Sequence, residues 1–414
     1  MGQDVKNDSR VCRTPPGPPK DLTLYLKPNP ILVAVSLTFI LMTSGLVYYL
    51  MLPPPYTPPP PPPPPHAVIA IDGDANFSDT ALLEGWPGDG SPENPFIIDG
   101  LDIVVDGGNL ISISNTRVSF TISNCNLTGA CVNTMYGTDG TGIYLNNVTN
   151  GELVNNICNS NWHGISLGES DHNTVVNNTC LFNLNAIVLG NSDSNTVANN
   201  TCTSIDHGIG LGGGSDYNIV ANNTCNSNRV IAIHLGFVGY NTVANNTCKY
   251  NGIGIHLSGS ADNILENNIC CNNSVGISLG ESDHNTVVNN TCINNRGICI
   301  PPSWYGVVTP HPGGNDIGIS LEESDSNFVV DNICNNNEIG IYLDDESEFN
   351  TVENNTFSGN TEQDIVDEWL AHREEKELAH REYVGKQLVW FLAGCGMILV
   401  VSVIALVKFR RMEI

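Results

Sequence analysis

The stretch GISLGESDHNTVVNNTC stands at residues 164–180 and again, letter for letter, at 276–292. Between the two copies the same pattern recurs in looser form. A Gly/Ala-Ile-x-Leu tetrad begins at Gly142, Gly164, Ala186, Gly208, Ala232, Gly254, Gly276, Gly318 and Gly340. Cysteines follow at Cys158, Cys180, Cys202, Cys225, Cys248, Cys270, Cys292 and Cys334, and Phe357 takes the next place. The spacing is 22 or 23 residues, with one gap of 42. A fixed period of this length marks one supersecondary unit stacked on itself.

One unit shows how it closes. In NTVVNNTC (173–180), strand alternation points Val175 and Cys180 inward and Thr174 and Thr179 outward. The interval between Val175 and Cys180 is odd, so a bend lies between them, and Asn178 is placed at it. Asn recurs there as Asn200, Asn223 and Asn246, and a second Asn follows each Cys but Cys202 by three residues. Asn tolerates left-handed backbone and bonds to its copy one rung away, which satisfies inward polar backbone. Ile165 and Leu167 then form the next inward pair, ahead of a Gly/Ser/Asp-rich turn. Short strands joined by such bends give an all-β solenoid, a right-handed single-stranded parallel β-helix of about ten coils.

The units at either end differ. Residues 1–30 are a polar tail, and 31–52 form an uncharged apolar span. Residues 53–65 are a polyproline linker, 66–110 an N-terminal cap with a first coil, and 111–360 the β-helix. Residues 361–387 are charge-dense, with Ile365/Trp369 and Val366/Leu370 at helical spacing, which predicts a juxtamembrane helix. A second uncharged span, 388–407, precedes a short tail, 408–414. Both spans have the length of a transmembrane helix. Lys6, Arg10, Arg13, Lys20 and Lys27 flank the first, and Lys408, Arg410 and Arg411 the second. The positive-inside rule puts both termini in the cytoplasm and 53–387 outside the cell membrane.

The net charge is −27, and the segment 53–387 holds 8 of the 16 Lys and Arg against 39 of the 43 acids. Such a surface repels nucleic acid, which excludes that partner class, and favours cations or neutral ligands. The cysteine column, including Cys180, Cys202, Cys225 and Cys248, suits a buried ladder of free thiols, because neighbours on parallel strands meet disulfide geometry poorly. Cys125 and Cys131 are the better disulfide candidates.

Four groups of residues offer chemistry. His234 and His256 occupy the outward x of Ile-x-Leu on consecutive coils, side by side, where imidazoles could hold Cu or Zn. No third His stands in that column. Asp171, Asp193 and Asp216 occupy one turn position on successive coils, where stacked carboxylates suit Ca²⁺. The coil between Cys292 and Cys334 carries an insertion, RGICIPPSWYGVVTPHPGGND (296–316), whose Trp304 and Tyr305 are the aromatics of a ligand-binding loop. Asn76, Asn126, Asn147 and Asn272 head glycosylation sequons.

The repeat NTVVNNTCxxNxxGIxL resembles the NosD-type, or carbohydrate-binding and sugar-hydrolase, β-helix domain of the pectin-lyase-like superfamily. The stretches GDANFSDTALLEGWPGDGSPENPFIIDGLDI and ISISNTRVSFTISNCNLTGA are similar to those of many uncharacterised archaeal cell-surface proteins. The resemblance covers about 67–360 and lies in ladder residues, so it implies a fold before an activity. Arg117, Arg229, Lys249 and Arg296 stand on different coils, without the clustered acid and base that a polysaccharide lyase or hydrolase needs. The sequence therefore favours a membrane-anchored, non-catalytic surface protein contacting glycans or envelope proteins. A tethered lyase or glycoside hydrolase is the alternative, and copper or calcium handling the third reading.

Overall fold

In the computed structural model the described residues are 64–105, 107–129, 140–296 and 316–374, with separate helical positions within 31–43 and 376–382. The chain divides into two units, Met1–Pro63 and Pro64–Ile414. In the first unit the described residues are helical. Among the described residues no helix is long and apolar enough to cross a membrane. Most of the span 31–52, and all of 388–407, lies outside them.

The second unit is a right-handed parallel β-solenoid. A sheet of 11 strands runs from Phe96–Asp99 to Thr351–Glu353, one strand per coil, and a sheet of 21 strands carries the rest of each coil. Among the described residues the stack thus has eleven coils, against the expected ten or so, and it begins within 66–110, the segment read as a cap with a first coil. Pairing is in register along the inward columns: Val175 opposite Val197, Cys180 opposite Cys202, Ile165 opposite Ile187 and Leu167 opposite Leu189. Leu127 precedes the Cys column opposite Cys158, and Phe357 closes it opposite Cys334.

These columns fill the interior. Val175, Cys180, Ile165 and Leu167 and their copies are buried along the stack up to the last coil, where Val352 and Phe357 are half-buried. The column cysteines are free, and so is Cys125, whose Sγ lies 3.3 Å from the Ser123 carbonyl; Cys131 lies outside the described residues. A hydrogen bond to the next thiol and burial together push Cys158, Cys202, Cys248 and Cys292 well above the ordinary thiol value. Protonated thiols buried this way are inert packing.

The bend is built differently from the sequence expectation. The left-handed residue is the first of each Asn pair, not the second: Asn177, Asn199, Asn222 and Asn245 have φ of 57°, 57°, 58° and 57°. The second Asn points inward and bonds along the stack. Asn178 accepts from the Asn156 backbone at 2.9 Å and donates to the Leu153 carbonyl at 2.9 Å, and Asn200, Asn223 and Asn246 repeat this. Asn can do either job, so adjacent asparagines left the assignment to the backbone. Two further ladders went unread in the sequence: Asn173, Asn195, Asn218 and Asn241 at the next corner, and the buried serines Ser170, Ser192 and Ser215.

The N-terminal end is plugged by the helix Asp74–Glu84. Its Phe77 is buried and stacks on Phe96 at 5.1 Å, with Phe120 at 5.2 Å. At the other end the expected helix over 361–387 starts late. Gln363–Asp367 is a strand, pairing Ile365 with Ile341, and helical residues begin at 368. The last regular coil offers unpaired backbone groups, and pairing with them outweighs a local helical pattern.

Candidate functional site

Two outward columns run down the Ile-x-Leu face of the larger sheet. One contains Tyr144, Ser166, Val188, Gly210, His234, His256 and Ser278. The other, at the start of the same strands, reads His163, Asn185, His207, Ile231, Ile253 and Val275. Inside Ile231–Gly236 and its relatives the register skips the Gly/Ala position, whose Cβ would point at the Cys column. This irregularity turns both columns to the same side.

His234 and His256 are register partners, and their rings stack at 5.5 Å and 9°. The structure adds a third imidazole. His207, from the other column, stacks on His234 at 5.7 Å and 23°. It reaches there because Gly210, the partner of His234 in the preceding coil, has no side chain. Sequence columns alone could not show this, since the two histidines belong to different register rows. The missed signal was the pairing of a Gly in one row with a His three residues earlier.

Hydrogen bonds set the tautomers at both ends of the strip. His207 Nδ1 lies 3.1 Å from Asn185 Oδ1, and His256 Nδ1 lies 3.3 Å from the Ser278 carbonyl. Each partner can only accept, so each Nδ1 carries the proton and each Nε2 keeps its lone pair. Burial lowers the pKa of all three rings. For His234, burial and then the neighbouring His256 and His207 bring it down to about 4. The strip is therefore neutral at pH 7. A carbonyl on Nδ1 with Nε2 free is also how proteins orient a metal-binding imidazole. The rings are parallel, so their nitrogens do not converge on one point, and no group of three His, Cys, Asp or Glu among the described residues is poised as a closed metal site.

The acidic turn residues are engaged along the stack. Asp171 Oδ1 accepts from the Asp193 backbone at 2.7 Å, Asp193 Oδ1 from Asp216 at 2.8 Å, and Asp216 Oδ1 from Gly239 at 2.7 Å. Asp283 and Asp325 repeat the arrangement. Each carboxylate caps a backbone N–H of the next coil, so the column has a structural cause without a cation. Trp304 and Tyr305 lie outside the described residues. Among the basic residues, Arg229 is bound to Asp206 at 2.6 Å. Asn76, Asn126 and Asn147 are exposed and Asn272 is half-buried.

The family described as "Periplasmic copper-binding protein (NosD)" matches three overlapping stretches, 93–233, 123–315 and 227–368, well over half of the chain. The chain belongs to the NosD family. No curated protein matches it. Solved structures similar to this NosD chain include the Azotobacter vinelandii mannuronan C-5 epimerase AlgE4 A-module, at 14% identity and TM-score 0.49, covering 71% of this chain and 93% of that one. The periplasmic alginate epimerase AlgG is similar at 15% identity and TM-score 0.45, covering 72% and 84%. A DFA-IIIase from Arthrobacter chlorophenolicus A6 is similar at 13% identity and TM-score 0.45, covering 68% and 93%. None of these bears on the chemistry of this chain.

Proposed function

We propose that this NosD-family protein is a membrane-anchored, extracytoplasmic binding solenoid, non-catalytic, whose imidazole strip takes up copper. The observation that carries the reading is the strip itself: three stacked rings, neutral at pH 7, with His207 and His256 each held by a carbonyl at Nδ1 and open at Nε2. Neutral imidazole is a ligand that copper and zinc favour, and copper binds the tighter of the two at a nitrogen site. The family's description as periplasmic and copper-binding agrees with this. Small rotations about the side-chain bonds would be needed to bring two nitrogens onto one ion, and the half-buried setting leaves room at Gly210 and Gly212. Anchoring rests on the two apolar spans and their flanking bases.

The test is a copper(II) titration of the full chain in detergent, read by electron paramagnetic resonance. Nitrogen hyperfine structure is expected at one ion per chain, and it should disappear in a His207→Asn/His234→Asn/His256→Asn variant that keeps its circular dichroism. Unchanged copper binding by that variant would refute the assignment. Glycan contact through Trp304 and Tyr305 is a separate reading, tested by deleting 297–315 and measuring retention on immobilised polysaccharide.

A further inference from the structure

The turns that follow the larger sheet carry residues in the left-handed region on nearly every coil. In one turn column these are His172, Ser194, Asp262, His284 and Ser326, and in another Glu169, Asn191, Glu281 and Glu323. Aromatics break this polar pattern on two consecutive coils, and once more at Phe349, whose ring packs on Trp369. Tyr217 and Tyr240 fill the first column at φ 57° and 56°, and Phe237 fills the second at φ 57°. A bulky aromatic there is strained backbone, which costs stability. None recovers that cost by burial: Tyr217 is 60%, Phe237 74% and Tyr240 53% exposed.

Their arrangement is ordered. Tyr217 and Tyr240 stack in parallel at 5.1 Å and 7°. The ring of Phe237 lies over Gly259 of the next coil, where a Cβ would come within 2.7 Å of two ring carbons. In the preceding coil the same register position is Gly213, so Phe237 has no side chain on either side along its column. One face of Phe237 rests on backbone and the other is open. Between Phe237 and the tyrosine pair the turn surface is Gly239. Asp216 and Asp262 border it, and the Asp262 charge, with a hydrogen bond from the Tyr240 hydroxyl, pushes the Tyr240 pKa up.

We propose that Tyr217, Phe237 and Tyr240 form a binding ridge for a neutral extended polysaccharide lying along the solenoid axis. An open aromatic face takes the C–H face of a pyranose ring, and the flanking phenols and carboxylates accept from its hydroxyls. The acidic border on a chain of net charge −27 excludes uronic or sulfated glycans. Coils rise by ~4.8 Å, close to the advance of one hexose unit in an extended chain, so successive sugars meet successive coils. The ridge uses none of the strip histidines and rests only on the extracytoplasmic placement.

The experiment uses the full chain in detergent, stripped of metal with chelator, and neutral hexasaccharides of β-linked glucose, xylose and N-acetylglucosamine, with polygalacturonate and a choline-bearing probe as controls. The variant is Tyr217→Ser/Phe237→Asn/Tyr240→Ser, which installs the residues that the repeat itself uses at Ser194 and Asn191, so the coil keeps its backbone. Calorimetry should show at least one neutral hexasaccharide bound by the wild type and bound about tenfold or more weakly by the variant, with a melting temperature within a few degrees. Saccharide-induced exchange in the aromatic resonances of the wild type would locate the contact. The proposal is overturned if no neutral hexasaccharide binds at millimolar concentration, if the variant binds as well as the wild type, or if the choline probe alone is lost in the variant. A melting temperature that collapses in the variant while no sugar binds would assign the stack to stability and overturn it as well. Failure of the copper titration leaves these outcomes unchanged.

Discussion

Replacing Asn223 by Ala should open one coil while the neighbouring Asn222→Ala barely registers. Asn223 is buried; its Oδ1 accepts from the Asn200 backbone N–H at 2.9 Å and its Nδ2 donates to the Val197 carbonyl at 2.9 Å. The Asn200 side chain loses one contact but keeps the Val175 carbonyl at 2.9 Å. Truncation therefore orphans two buried backbone groups, each at about 1–3 kcal/mol, for a loss of roughly 4 kcal/mol. Asn222 is exposed and left-handed at φ 58°, so its Ala variant loses only a conformational preference of about 1 kcal/mol. In a stacked fold a coil opens against its two neighbours, so the loss appears locally before it appears in the whole molecule. Hydrogen exchange on the full chain should show Asn200 and its neighbours exchanging about a thousandfold faster in Asn223→Ala and no more than about tenfold faster in Asn222→Ala. Effects of similar size in the two variants would refute the division of labour within each Asn pair.

Other consequences follow from the same geometry. His234 should remain neutral to well below pH 6 in an NMR titration, because its folded pKa of about 4 lies under the ordinary 6.5. The unfolded chain binds that proton first, so about 3 kcal/mol of stability is lost as pH falls from 6.5 to 4, with no further loss below; a ring titrating at its ordinary value would contradict the buried strip. The column thiols should resist Ellman's reagent until denaturant is added, and Cys248→Val, near in volume, should cost less than about 1.5 kcal/mol; rapid native labelling at Cys248 would show the interior to be open. Asp193→Asn keeps the acceptor for the Asp216 N–H and removes one of a stack of like charges, so its melting temperature should match or exceed the wild type at low salt. A calcium-dependent rise in the wild type that Asp193→Asn abolishes would return a cation to the turn.

Period and alternation made the solenoid legible, since a repeat of 22 or 23 residues with inward Val, Cys, Ile and Leu has few ways to bury itself. The ends were harder. Ile365, Val366, Trp369 and Leu370 read as one helical face, yet Ile365 joins the last strand because an unpaired coil edge lies beside it. The Asn pairs hid which member bends and which bonds, as the same side chain serves both.

What the sequence determined by itself was the column: which residues recur, face inward and stack upon their own copies, because in a parallel register every residue's neighbour is its equivalent one period away. Only the tertiary structure decided what meets across columns. His207 reaches His234, in another register row, through the space above Gly210, a contact set by side-chain length and by a missing Cβ on the adjacent coil. Periodicity carries no information about such a diagonal neighbour, and the third imidazole of the strip is one.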